Sequence, residues 1–447
     1  MFTHTATKEG VLKDLTLHNR RHQLLAQIRE ANADLDDVAR ARKYAAMAES
    51  PYRFFRGTSH LFWADLYRDW RFAFYGGVPG TQTWIQGDAH VYNFGAFANH
   101  EGEVIFGLDD FDDGIVSDYQ YDLWRLAVSM VLDARENDQL DADAIDEGLA
   151  EMVSAYRKTA THYQPDDPDR EVHFTAGTTG KPLRPFLEKV GSKKTRSKML
   201  GKWTRLQKNG RRVFDTEHHK LKRLSPQQRK AFMTAFEAYR QRIVDAEAAP
   251  DDTSFFKVKD VVRRIKAGTG SLGTPRYYVL IEGDHEGQND DVILDVKRQD
   301  GPAALAAMTA EERAAYDSVF EHEGQRHAEA FHAMAEHPDR YLGWLLLDDG
   351  AYSVRERSPF KKDFPTDSLD KPKRYRKMAA TWGHILATEH KRASRALNPD
   401  VPFRFEDTLA EVIGSDKKGF VRLTTTIARQ YADCVTQDYQ WFCDAGE

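Results

Sequence analysis

The chain has 447 residues, of which 41% are hydrophobic and 30% charged, with a net charge of −6. This length is long for one hydrophobic core, so two or three folding units of a soluble, globular protein are expected. Two cysteines, Cys434 and Cys443, exclude a disulfide scaffold and a cysteine-rich zinc site; no apolar run suits a membrane span and no secretory h-region opens the chain, so a cytoplasmic protein without a membrane partner is expected.

In chain order, residues 11–75 read as helical, being rich in Ala, Leu, Arg and Glu and interrupted by a serine-proline stop. Two short β-rich runs, "TQTWIQ" and "GEVIFGLDD", bracket the loop "GDAHVYNFGAFANH". From Tyr121 the pattern is helical again. It continues through a Pro/Asp loop and a basic block, read as mostly helical, to "SPQQRKAFMTAFEAYRQRIVDAEAA". The basic block, residues 181–223, holds 15 Lys/Arg against three acids. A nucleic-acid or anionic partner is one reading of it. The other, preferred because basic runs are weak motifs, is a solvated face meeting acids elsewhere in the fold.

Composition shifts near residue 250. Three strands are expected over residues 255–300, the first two joined by a glycine-rich turn. Two helices follow, then the hairpin "YLGWLLLDDGAYSVRER", a loop and further helices.

Three features carry chemistry. Asp88 and Asn93, five apart on a loop after a strand, have the spacing of a phosphotransferase catalytic loop; there the aspartate orients or deprotonates a hydroxyl and the asparagine binds Mg2+. His90 lies between them, as a tuner of the loop or an ordinary stabilising hydrogen-bond partner. The second feature is the run Asp109, Asp110, Asp112 and Asp113, where a carboxylate just past a strand could hold Mg2+ between phosphate oxygens. The third is the turn Gly268, Gly270, Ser271, Gly273, whose backbone could approach phosphates, followed by Lys297, an otherwise odd charge in the apolar strand "VILDVK". "GTTGKP" at 177–182 lacks the residues of a phosphate loop, and "HAEAFH" at 327–332 lacks zinc-protease spacing.

"QGDAHVYNFG" resembles the catalytic loop of aminoglycoside phosphotransferases and related small-molecule kinases, and Asp110, Asp118 and Asp122 match that family's three spaced aspartates. The resemblance implies Asp110 as the metal ligand and Asp122 as an anchor of the loop. Nearly the whole chain also resembles the bacterial family called domain of unknown function 2252, through "SPYRFFRG", "YDLWRLA", "GTGSLGT", "VKRQ", "EGQR" and "QYADCVTQDY".

Relative to kinases the order is altered, since the catalytic loop precedes the glycine turn and lysine. The resemblance therefore implies an α+β, protein-kinase-like bilobal fold in circularly permuted order. Its lower lobe would take residues 1–250 and 358–447, and its β-rich upper lobe residues 251–357. It implies an ATP- and Mg2+-dependent phosphotransferase with an unidentified acceptor. Asp88 would act on the hydroxyl, Asn93 and Asp110 on the metal, and the glycine turn and Lys297 on the triphosphate. Lys297 would pair with Glu323, or else Glu321, and the segment Arg355, Glu356, Arg357 would meet adenine. The helix through His384 and His390 would pack beneath the Asp88 loop. An AMP transferase on the same scaffold and a non-catalytic nucleotide-binding regulator are the alternatives.

Overall fold

The computed structural model describes residues 11–99, 101–162, 173–247, 256–265, 274–283, 289–335, 340–397 and 404–446. The glycine-rich turn, with Gly268, Gly270, Ser271 and Gly273, lies outside them.

Helices α1 (Val11–Glu30), α2 (Asp37–Met47), α3 (Pro51–Gly57) and α4 (Ser59–Leu66) open the chain. Ser50 starts α3 by accepting the amide of Arg53 at 3.2 Å, with Pro51 at the first helical position, where its missing N–H costs nothing. Next come β1 (Gln82–Ile85), β2 (Phe94–Ala98), β3 (Val104–Leu108) and β4 (Ile115–Asp118), then α5 (Gln120–Asn137), α6 (Ala142–Ala160), α7 (Leu183–Lys193) and α8 (Arg196–Trp203). Short strands β5 (Thr204–Leu206), β6 (Arg212–Phe214) and β7 (Leu221–Arg223) lead to α9 (Pro226–Glu247). Strands β8 (Val258–Arg264), β9 (Arg276–Ile281) and β10 (Val292–Arg298) precede α10 (Ala310–Val319) and α11 (Glu323–Met334). Strands β11 (Gly343–Leu347), β12 (Gly350–Glu356) and β13 (Lys362–Asp363) precede α12 (Pro372–Leu397), α13 (Phe405–Ile413) and α14 (Lys417–Asp444).

The fold is α+β with antiparallel sheets. The largest has six strands in the order β11-β12-β10-β9-β8-β7. Alternation along β10 puts Leu294 and Val296 on one face and Ile293, Asp295 and Lys297 on the other. In the helical part β1 pairs with β4, and β2 with β3 and the late strand β13, so the chain returns from the six-stranded sheet to the region of the Asp88 loop.

The expected boundary near residue 250 falls earlier. One apolar cluster joins Phe232, Phe236 and Tyr239 of α9 to the six-stranded sheet, and another joins Trp203 of α8 to Tyr278 and Leu280. The helical reading of the basic block is also corrected: after α8 it forms three strands, and β7 edges the large sheet. Two of its arginines pair with acids of the sheet, Arg223 with Asp260 at 2.7 Å and Arg196 with Glu356 at 2.8 Å. No described helix is long and apolar enough to cross a membrane.

The helical core centres on α5, buried from Gln120 to Ala134, and on the crossing of α6 with α12. That crossing depends on two glycines. A Cβ at Gly383 would lie 2.2 Å from the Met152 carbonyl oxygen, and one at Gly148 2.2 Å from Tyr375 Cε1. Backbone cannot yield as a flexible side chain can, so Gly383→Ala is expected to destabilise the protein by about 1–3 kcal/mol through overpacking. Urea unfolding measures this; an unchanged midpoint would mean the helices are free to separate.

Candidate functional site

The Asp88 loop leaves β1 at Gln86 and is fixed by backbone contacts. Gly87 has φ +81°, and a Cβ there would lie 2.0 Å from the Asp113 carbonyl oxygen. Only glycine therefore lets the loop rest on the aspartate run. Asp122, in the first turn of α5, accepts the amides of Gln86 and Gly87 at 2.6 and 2.9 Å, the anchoring role expected of it. His390 of α12 stands beneath. Its Nε2 is 3.2 Å from Asp122 Oδ2, its Nδ1 is 2.8 Å from the Tyr156 hydroxyl, and its carbonyl accepts Thr83 Oγ1 at 2.9 Å. His384, one to two turns earlier, instead packs edge-on against Phe174.

Asp88 pairs with Arg125, an arginine of α5 buried completely, whose guanidinium lies 4.2 and 5.0 Å from the Phe55 and Phe62 ring centres. Burial pushes the Asp88 carboxyl up to about 7, and nearby Asp113 adds to this against the pull of Arg125. His90 Nε2 accepts a hydrogen bond from Arg56 Nε at 3.2 Å, and burial beside Arg56 and Arg125 holds the imidazole well below its usual range. His90 is thus a neutral acceptor that positions Arg56. Asn93 donates Nδ2 to the Asp88 carbonyl at 2.9 Å, while its own carbonyl accepts the Asp109 amide at 3.0 Å. Since β2 and β3 pair Phe94 with Leu108, Asn93 lies opposite Asp109 at the strand ends, and Asp110 is the next residue along.

Each aspartate of the run has its own circumstances. Asp109 pairs with Lys361 at 3.1 Å. Asp112 pairs with Lys297, accepts Gln299 Nε2 at 3.1 Å and lies 3.8 Å from His327 Nε2; burial opposes its ionisation, yet Lys297 and His327 hold its carboxyl well below the usual range. Asp113 accepts the Ala303 amide at 2.6 Å. The Asp110 carboxylate makes no hydrogen bond or ion pair with a described residue, while its carbonyl accepts Gln86 Nε2 at 2.6 Å. Burial would lower the Lys297 amine, but Asp112 and Asp110 together raise it, so it stays charged.

The expected Lys297 partner is corrected. Glu323 opens α11 and pairs within its own turn with Arg326 at 2.6 Å, and with the Tyr316 hydroxyl at 2.8 Å. Glu321 precedes the helix. From α11, His327 Nε2 comes within 3.8 Å of the Asp112 carboxylate. Arg326, fully buried, donates to the carbonyls of Gly114 (2.8 Å) and Asp112 (2.7 Å) and so fixes the aspartate turn against α11. Arg355, Glu356 and Arg357 line a cavity of about 230 Å3 between the six-stranded sheet and Phe97, Asp109, Phe331 and Lys361.

Arg125, Arg326 and Lys361 are not singled out from sequence, and His327 is set aside with "HAEAFH" as lacking zinc-protease spacing. Arg125 left a readable trace, a lone charge in the apolar helix "YDLWRLAVSMV". The others are ordinary polar residues until the fold pairs them.

Beneath the β3 end lies a further buried carboxyl. Glu389 Oε1 accepts the Leu108 amide at 3.1 Å, and its Oε2 has no hydrogen-bond partner among the described residues. Burial pushes it up to about 8, with Arg392 opposing and Asp122 and Asp109 assisting. Its folded-state value is above the unfolded one, so the stability it contributes is full below about 4.3 and lost as pH rises toward 8. Glu389→Gln should therefore gain in melting temperature over the native protein as pH goes from 5 to 8. A gap that stays constant or shrinks over that window would place the proton elsewhere.

Compared with known proteins, the chain matches no curated protein and no solved structure. A family profile described as an uncharacterized protein conserved in bacteria, DUF2252, matches residues 36–445, nearly the whole chain. The protein belongs to the DUF2252 family.

Proposed function

We propose that this protein is a Mg2+- and ATP-dependent transferase of the protein-kinase type, in circularly permuted order, that moves a phosphorus-bearing group onto an acceptor hydroxyl. Phosphoryl transfer and AMP transfer use the same residues. One observation carries the proposal: Lys297, on a strand that follows the glycine-rich segment, reaches Asp112 in the aspartate run 185 residues earlier. Kinases use this pairing of parts, a lysine on the third strand facing the metal aspartate, with a helix after the lysine strand. Here α10 and α11 occupy that position between β10 and β11.

The donor set suits a hard dication. The Asp110 carboxylate is without a partner, and Asn93 offers a carbonyl oxygen while its amide nitrogen is used on the loop. Two oxygen donors plus phosphates and water is the usual protein share of a Mg2+ site. Bound there, the ion would neutralise phosphate charge and fix the phosphate oxygens. Lys297 would release Asp112 and take phosphate oxygens in its place. Asp88, with a carboxyl near neutral pKa, would orient the acceptor hydroxyl and receive its proton. Arg125 would keep that carboxyl aimed into the cleft.

A regulator without turnover would have the same binding parts; product formation separates the two. Asp88→Asn should retain ATP binding but lower transfer by about 10²–10⁴-fold, the range for losing a positioned proton acceptor. Turnover at the native rate would remove Asp88 from the chemistry. In melting experiments with ATP, Asp110→Asn should lose the extra stabilisation that Mg2+ provides, whereas Asp113→Asn should keep it. Equal losses at both positions would mean that the cation is not held by Asp110.

A further inference from the structure

The cavity beside Lys297 has the wrong chemistry for a purine. Strand pairing sets its roof: Asp295 faces Tyr278 and Arg355, and Lys297 faces Arg276 and Ser353, all on one face of the six-stranded sheet. A slot for a neutral base is predominantly apolar, with a few polar groups placed for its edges. This one is bounded by several arginines and Lys361. Its acids are already engaged: Asp295 with Arg276, Asp109 with Lys361 and Glu356 with Arg196. Among the described residues neither Arg355 nor Arg357 makes an ion pair, although both lie within the electrostatic reach of Asp295. Arg355 gives one N–H to the Asp109 carbonyl at 2.7 Å and lies 5.7 Å from the Phe331 ring centre. Arg357 makes no side-chain hydrogen bond or ion pair with a described residue, its Nε is buried, and it lies 5.2 and 5.6 Å from the Trp203 and Tyr278 ring centres. Two unpaired guanidiniums sharing one cavity repel, and a purine supplies no charge to offset them. A pyrophosphate does, through bidentate contacts that match the guanidinium fork. At roughly 30 Å3 per water, the cavity of about 230 Å3 equals about seven to eight waters, the size range of a small polyatomic anion.

Resting on the nucleotide-binding reading above, we propose that this cavity holds the β- and γ-phosphates, so that the α-phosphorus lies at the mouth and AMP is the group transferred. The mouth is set by Asp110, which directly follows the cavity-lining Asp109, and by Lys297, two residues beyond the cavity-lining Asp295 on the same strand face. The acceptor oxygen forms a bond to the α-phosphorus, the bond from that phosphorus to the bridging α–β oxygen breaks, pyrophosphate leaves with both electrons of that bond, and the hydroxyl proton passes to Asp88. No oxidant or further reactant is needed.

Calorimetric titration of the full chain with three probes tests this: Mg2+–ATP, inorganic pyrophosphate and adenosine. Mg2+–ATP and pyrophosphate should bind and adenosine should give no heat. Arg357→Gln should weaken pyrophosphate at least tenfold, and Arg357→Lys, which keeps the charge but not the fork, should weaken it less. Melting curves verify that both variants are folded, and Arg355→Gln provides a second variant. Adenosine binding with pyrophosphate indifferent to Arg357 and Arg355 would overturn the phosphate assignment while leaving the transferase reading in place. Failure of Mg2+–ATP itself to bind would overturn both.

Discussion

Four carboxylates within five positions cannot all ionise at close range unless each is answered, because like charges raise one another's pKa and burial adds to the cost. The fold answers three of them differently: Asp109 by Lys361, Asp112 by Lys297, and Asp113 by a backbone amide. Asp110 is left over, beside Asn93 and within the electrostatic reach of Lys297. Among the described residues, Asp110 is the one of the four whose carboxylate has no hydrogen-bond or ion-pair partner, and the proposed Mg2+ would take that place. The strand order, the late return of β13 to β2 and the buried Arg326 all hold this turn in place.

Burying so much charge is costly, which explains how the surrounding core is built. Arg125 and Arg326 are fully buried, and each earns its position by binding one acid and one or more carbonyls, not by an isolated ion pair. A buried pair with further hydrogen bonds survives desolvation where a bare one does not. The lower part of the site is equally tied: Asp122 takes two loop amides and His390 links it to α6 and β1. The loop bearing Asp88 is therefore tied by hydrogen bonds to β1, α5, α6 and α12.

Much of this was legible in the sequence because it depended on local order. The spacing of Asp110, Asp118 and Asp122 assigned Asp122 to the loop, and its two amide contacts follow from its place in the first turn of α5. The charge at Lys297 stood out in an apolar strand and lies on the cleft face of β10. Its partner was not legible. Glu323 has the right residue type on the right helix, but an arginine three residues on takes it, and the acid that replaces it is distant in sequence. The division into lobes was misjudged for a related reason: α9 has an ordinary helical pattern, and which sheet its Phe232 and Tyr239 cover is decided by tertiary packing.

The central claim is that Asp110 and Lys297 frame a site where a dication and a polyphosphate bind together. Calorimetric titration of ATP into the full chain, with Mg2+ and then with excess EDTA, tests it most directly. The prediction is one site per chain with Mg2+ and affinity at least tenfold weaker without it. No binding at all, or equal affinity in EDTA, would contradict it and leave the carboxylate of Asp110 without a ligand to explain it.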